Sequence, residues 1–345
     1  MHPALRSLAL CALAFAAFLT VSRTLSPHVP WPAGFEIREK LAVFEAQKDE
    51  IDVLFLGSST VYRSFRPRVI DAEWRELGLD LRSFNLGFGG MSAFEADRLL
   101  REVLAMEPAR LRWVFVEPRV FHGRLAESPN AFTERSVRWH TWSATLQALH
   151  SVDVSDVSDS ERRAERDVHW RLFARKLGNY GLGPSLVSPW FGPEPDAELM
   201  DELTVERGYR PLEAVGAAVA PRRTLLLQNP ERYRERVAQL QAGNRAAVDL
   251  STLNRSVISE QRWAVHRAGA THLAVVPPGL APTAAAKALH AAGILPDLFA
   301  FNRPTLYPGF YELDARFDQN HLSRSGAEAF SRIFARQVAE RLRGR

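Results

Sequence analysis

Three short apolar runs, each cut off by turn-forming residues and each separated from the next by a helix-patterned stretch, restrict this chain more than any other feature. They are IDVLFLGSS (51–59), LRSFNLGFGG (81–90) and LRWVFVEP (111–118), and their length and endings read as buried strands. Between the first two, Pro67 opens a helix that carries Val69, Ile70, Trp74 and Leu77 and stops at Gly78. Between the second and third, Ser92 and Glu95 have capping-box spacing, and Ala96, Leu99, Leu100, Val103 and Leu104 share a face until Pro108. A β-α-β-α-β order with short connections predicts a parallel sheet covered by helices.

That rhythm stops after residue 119. Residues 120–231 contain no convincing strand and are expected to form a mostly helical insertion or lid, with a polar loop at 151–160 and turn-rich stretches at 190–198 and 208–211. The alternation resumes with a long helical region at 232–267, a strand at 271–279 and a helix at 282–292. A last helix begins near Ser325 and Glu328, a second capping-box spacing, and buries Phe330, Ile333, Phe334, Val338 and Leu342. The expected fold is α/β, a three-layer, flavodoxin-like sandwich around a central parallel sheet, spanning 51–345 with 120–231 inserted.

Residues 7–22 carry no charge between Arg6 and Arg23. At 1.5 Å per residue they reach about 24 Å, short of the roughly 30 Å hydrocarbon core. With a basic start and apolar residues on every face, residues 1–25 read as a signal peptide or signal anchor, and the lack of a clear small-residue cleavage site favours the uncleaved anchor. Residues 26–50 are expected to be a juxtamembrane linker, extended at SPHVPWPAG. The body is then membrane-anchored or secreted and extracytoplasmic, on the periplasmic side of the inner membrane in a Gram-negative source. Cys11 is the only cysteine, so the folded body has no thiol chemistry and no internal disulfide. A net charge of +4, without a dense basic run interleaved with aromatics, argues against nucleic-acid binding.

Ligands of open α/β sheets bind where strands end. Three segments place chemistry there: Gly57-Ser58-Ser59, Asn85-Leu86-Gly87-Phe88-Gly89-Gly90, and Asp318-Gln319-Asn320-His321 just before the last helix. Together they supply a nucleophile (Ser59), a base (His321), a carboxylate to orient it (Asp318) and oxyanion donors in the backbone N–H groups of Ser59 and Gly90. Other readings fit less well. A dinucleotide loop would need Gly where Ser92 stands, and a metal at Asp318 and His321 lacks further ligands, so neither cofactor nor metal is expected. Trp139, His140 and Trp142 form an aromatic cluster that either packs the insertion or, with Asn85, contacts a sugar or acyl group.

In the order and placement of these blocks the chain resembles the SGNH (GDSL-like) hydrolase superfamily. Gly57-Ser58-Ser59 matches its first block, Asn85, Gly87 and Gly90 its second, and Asp318 with His321 its last. It departs at the third block, Gly-x-Asn-Asp. The third strand ends Val116-Glu117-Pro118-Arg119, so the asparagine oxyanion donor is absent, leaving either Arg119 as a substitute or a hole of two donors. The variant first block, the missing third and the N-terminal anchor are similar to the membrane-associated branch that includes the teichoic-acid D-alanyl-transfer and alginate O-acetylation proteins. The resemblance implies a serine ester hydrolase or O-acyltransferase acting on an acyl ester of a cell-envelope glycan or lipid, with a membrane acyltransferase as a partner. The alternative is an inactive SGNH-fold binding or scaffold protein at the membrane.

Overall fold

The computed structural model describes residues 3–26, 29–32, 36–121, 123–128, 130–179, 182, 185, 187, 196–250 and 255–343. The first elements are α1 (Pro3–Leu25), α2 (Ile37–Gln47), β1 (Val53–Leu56), α3 (Ser59–Ser64), α4 (Pro67–Glu76), β2 (Ser83–Asn85), α5 (Ala93–Ala105) and β3 (Trp113–Val116). Then follow α6 (Glu134–Trp139), α7 (Trp142–Asp153), α8 (Asp159–Gly178), α9 (Ala197–Val205), α10 (Ala220–Gln228), α11 (Pro230–Gly243) and α12 (Arg255–Arg267). The chain closes with β4 (Thr271–Val276), α13 (Ala284–Ala291), β5 (Leu298–Ala300) and α14 (Arg324–Arg343). It divides into two compact units, one of residues Met1–Arg38 and His122–Glu194, the other of Glu39–Phe121 and Pro195–Arg345.

The larger unit is α/β, with a five-stranded, all-parallel sheet in the order β2-β1-β3-β4-β5. This is the 2-1-3-4-5 order of doubly wound sheets. Strand alternation sends Val53, Phe55, Trp113, Phe115, Leu273 and Val275 to one face, where they meet Ile70 and Trp74 of α4 and Phe330 and Phe334 of α14. The Phe334 ring touches Phe55, Phe65 and Phe115 edge-on, 4.9–5.4 Å between centroids. Truncating it to Ala is expected to cost about 3–5 kcal/mol. On the other face His272 lies against Gln261 of α12, which reaches Asp97 of α5. Helices on both faces make the unit compatible with a three-layer sandwich.

Four local expectations change. Residues 37–47, assigned to the linker, form α2, because Leu41, Val43 and Phe44 are buried and Phe44 meets Phe84 edge-on. The strand β5 was not expected, being three half-buried residues at the sheet edge. The region 232–267 is two helices, α11 and α12. The cap of α14 is Ser323 rather than Ser325, its Oγ accepting the Gly326 N–H at 3.2 Å. The Ser92–Glu95 capping box forms as expected.

The stretch 120–231 is divided between the units. Residues 195–231 belong with the sheet, and part of them lines its β2 edge. Asn85 N–H donates to Arg207 O at 2.9 Å, and Arg207 pairs with Asp71, which also accepts from Ser83. An edge strand left bare would expose unpaired backbone, and this segment covers it. Within the smaller unit, Val137, Val168, Leu172 and Val29 form a core around α6 and α8. Residues 190–195 of the turn-rich stretch and 27, 28, 33 and 34 of the extended linker lie outside the described residues.

Candidate active site

The chain leaves β1 toward β2 on one side, while β3 lies on the other. The ends of β1 and β3 therefore flank the switch point at which doubly wound sheets bind ligands. Ser58 and Ser59 follow β1 there. Ser58 is the N-cap of α3, and Ser59 its first residue. A residue at that position has no intrahelical acceptor for its N–H, so the Ser59 N–H is open to a ligand.

The structure brings Ser59, His321 and Asp318 together. His321 Nε2 lies 2.8 Å from Ser59 Oγ, and His321 Nδ1 lies 2.8 and 2.9 Å from the two Asp318 oxygens. An ionised carboxylate only accepts, so Nδ1 holds the proton and Nε2 accepts from the Ser59 hydroxyl. Asp318 and His321 are buried, and Ser59 is half-buried. Burial pushes the Asp318 carboxyl up, but the His321 ring N–H and the main-chain N–H groups of Asn320 and His321 outweigh it and hold it below the ordinary carboxylate value.

The loop that carries the pair is closed on itself. Arg316 and Leu322 form an antiparallel bridge, and Phe317 N–H donates to His321 O at 2.9 Å. The fully buried Arg316 guanidinium then donates to Pro278 O at 2.8 Å and to Gln319 O at 2.9 Å, tying the loop to the end of β4. From behind, Arg223 of α10 donates to Leu313 O at 2.7 Å and also to Arg316 O. Part of the expected insertion thus braces the histidine loop.

Sequence reasoning passed over Glu117. Its Oε2 accepts the Ser58 N–H at 2.7 Å and its Oε1 the Thr60 hydroxyl at 2.9 Å, so one carboxylate grips the residues on both sides of Ser59. The available signal was Gly57. A Cβ there would sit 2.7 Å from Glu117 Cβ and 2.5 Å from Val61 Cγ2, so only glycine lets β3's end approach the turn. Lys40 was also passed over. It is fully buried, donates to Gly87 O at 2.6 Å and lies 3.6 Å from the Tyr62 ring centroid, joining α2, α3 and the second glycine block.

Two tentative assignments are corrected. Asn85 does not face a substrate. It is fully buried, its Nδ2 donates to the carbonyls of Val61, Tyr62 and Phe65 at 2.7–3.1 Å, and its Oδ1 accepts the Gly87 N–H at 2.9 Å. Trp139 and His140 form no open wall. Both are buried in the smaller unit, stacked at 3.7 Å, with His140 Nε2 2.9 Å from His169 Nδ1. Arg119, the side-chain oxyanion candidate, is exposed just beyond the end of β3. Gly90 lies in a turn with φ +67°, two residues beyond Phe88, whose N–H donates to Gly57 O at 3.0 Å. The second block is in this way tethered to the Gly57–Ser59 turn.

Among the described residues there is no cluster of three His, Cys, Asp or Glu side chains that could hold a metal. Comparison of the chain with models of known protein families, with curated proteins and with solved structures returns no match.

Proposed function

We propose that the chain is a serine acyl-ester hydrolase or O-acyltransferase of SGNH (GDSL-like) type, held at the outer face of a membrane and acting on an acyl group of a cell-envelope glycan or lipid. The observation that carries this reading is the continuous chain of hydrogen bonds from Ser59 Oγ through the His321 ring to Asp318. Ser59 attacks the acyl carbonyl while its proton passes to His321 Nε2, and Asp318 stabilises the imidazolium. The oxyanion is held by the N–H groups of Ser59 and Gly90, a hole of two donors. Collapse expels the alcohol, which takes the proton from His321 and leaves acyl-Ser59. Water or an acceptor hydroxyl then gives its proton to His321 and attacks the acyl carbonyl, and collapse breaks the ester bond to Ser59 Oγ, which takes the proton back from His321. The helix α1, long and apolar enough to cross a membrane, supports the location, and a membrane acyltransferase that delivers the acyl group is the fitting partner.

The test is labelling of the purified protein with a fluorophosphonate, which phosphonylates an activated serine with loss of fluoride. The expected result is one label on Ser59, absent in Ser59→Ala and reduced to background in His321→Ala. One observation favours the inactive scaffold instead. The end of β3 presents Glu117, an acceptor, where the superfamily presents a donor, and Glu117 engages the Ser58 N–H. A folded wild-type protein that takes no label would establish that second reading.

A further inference from the structure

We propose that Trp142, Trp170 and Phe173, with Leu146, form a second membrane contact, an aromatic seat that beds the smaller unit in the phospholipid headgroup layer beside α1. This rests on the reading of α1 as the membrane segment. The three rings form one cluster, with centroids 5.4–6.1 Å apart. Trp142 and Trp170 are nonetheless open to solvent, 56% and 40% exposed, Phe173 is half-buried between them, and Leu146 is exposed one turn beyond Trp142 on α7. Large exposed ring clusters are uncommon on a soluble surface and mark an interaction site. What covers this one is indicated by its neighbour. Trp142 and Phe173 line a cavity of about 350 Å³ together with Ser22 and Arg23 of α1 and Lys176 of α8. The patch is continuous with the end of the membrane helix.

The depth follows from the clamp at that end. Ser22 Oγ donates to Leu177 O at 2.8 Å, Asn179 Nδ2 donates to Ser22 O at 2.6 Å, and Lys176 Nζ donates to Ser26 Oγ at 2.8 Å. Ahead of Ser22 the apolar residues Leu8, Leu13, Phe15 and Phe18 of α1 are exposed. The uncharged run between Arg6 and Arg23 reaches only about 24 Å. α1 is long enough to cross, but an uncharged stretch shorter than the hydrocarbon layer, about 30 Å, draws its charged flanks and their neighbours into the interface. The clamp makes that flank part of the folded unit, so residues that share a cavity with Ser22 and Arg23 come to headgroup depth. Indole rings prefer that depth, and Arg23 and Lys176 supply cations for lipid phosphates.

The test uses the full chain reconstituted in vesicles of phosphatidylethanolamine and phosphatidylglycerol, with and without a nitroxide-headgroup lipid. Intrinsic fluorescence should be quenched by the nitroxide, and the quenched fraction should fall by at least half in the Trp142→Phe/Trp170→Phe variant, which keeps apolar rings at both sites. Flotation after alkaline carbonate reads α1 separately. Protein that floats but shows the same quenched fraction in wild type and variant overturns the seat and leaves the anchor standing. Protein that is quenched through Trp142 and Trp170 yet is stripped by carbonate supports the seat and removes the anchor.

Discussion

In the proposed reaction, Ser59 and His321 react and Glu117 positions Ser59. Ser59→Ala and His321→Ala remove a reacting atom or its base. Either change should abolish labelling, while residual turnover of about 10³–10⁴ over water persists from binding and the oxyanion hole. Asp318→Asn keeps an oxygen for the loop N–H groups but loses the charge that favours imidazolium, so a fall of about 10⁴ in turnover is expected with the fold intact. Glu117 acts one step away, through the backbone on either side of the nucleophile. Glu117→Ala strands the buried Ser58 N–H at a cost of about 1–3 kcal/mol and loosens Ser59. Glu117→Gln retains an acceptor for that N–H and an amide for the Thr60 hydroxyl. The labelling rate should fall more than about tenfold in the alanine variant and recover most of that loss in the glutamine variant. Equal rates in all three proteins would leave Glu117 as packing alone.

At the level of elements, the strands that were legible are those long enough to show an apolar run and a turn. β1 to β4 fall inside the runs that define them. The hydrogen-bonded Ser59–His321–Asp318 arrangement was legible for a local reason, since two of its members lie three residues apart ahead of a helix and the third follows a strand. What the pattern could not reveal depends on contacts distant in sequence. Lys40 reads as a solvent charge until α2 is seen to bury it, and the prolines of 26–34 draw the eye to a linker that gives way to helix at Ile37. β5 is too short to carry periodicity. Glu117 was visible as the absence of an expected asparagine and, indirectly, through Gly57, whose missing side chain lets the end of β3 approach the turn. Asn85 shows the same limit from the other side, because residue type and position suggested a ligand contact while its partners are three carbonyls at the end of α3. Asn85→Ala should therefore act on stability first. Leaving those carbonyls and the Gly87 N–H without their partner is expected to lower unfolding free energy by about 1–3 kcal/mol, measured by urea titration. Loss of labelling with an unchanged urea midpoint would return Asn85 to the ligand side of the site.

For the whole molecule, the buried histidines are expected to contribute to the acid response of the fold. In the α/β unit, His272 is held on the sheet with its ring facing Gln261 Oε1 at 3.3 Å, and burial pushes it down to about 3 from an ordinary 6.5. In the unfolded chain the same ring takes its proton near pH 6.5. Between those two values the unfolded state binds a proton that the folded state refuses, so stability must fall as pH falls through that window. The slope has an upper bound of about 1.4 kcal/mol per pH unit for this one group. Asp318 acts in a different window. Its carboxyl is held below the ordinary 3.8, so the stability it contributes is present above 3.8 and is lost only as pH falls further. Urea midpoints measured from pH 7 to pH 4.5 leave Asp318 ionised and sample His272 together with the buried His140 and His169 and with Asp97, whose carboxyl burial pushes up, so the His272 share is read by comparison with a variant. His272→Asn, which keeps a polar partner for Gln261 but cannot take the proton, should lower stability at pH 7 and flatten the decline toward pH 4.5 relative to wild type. Parallel declines in the two proteins would show that the acid response of this fold comes from other groups.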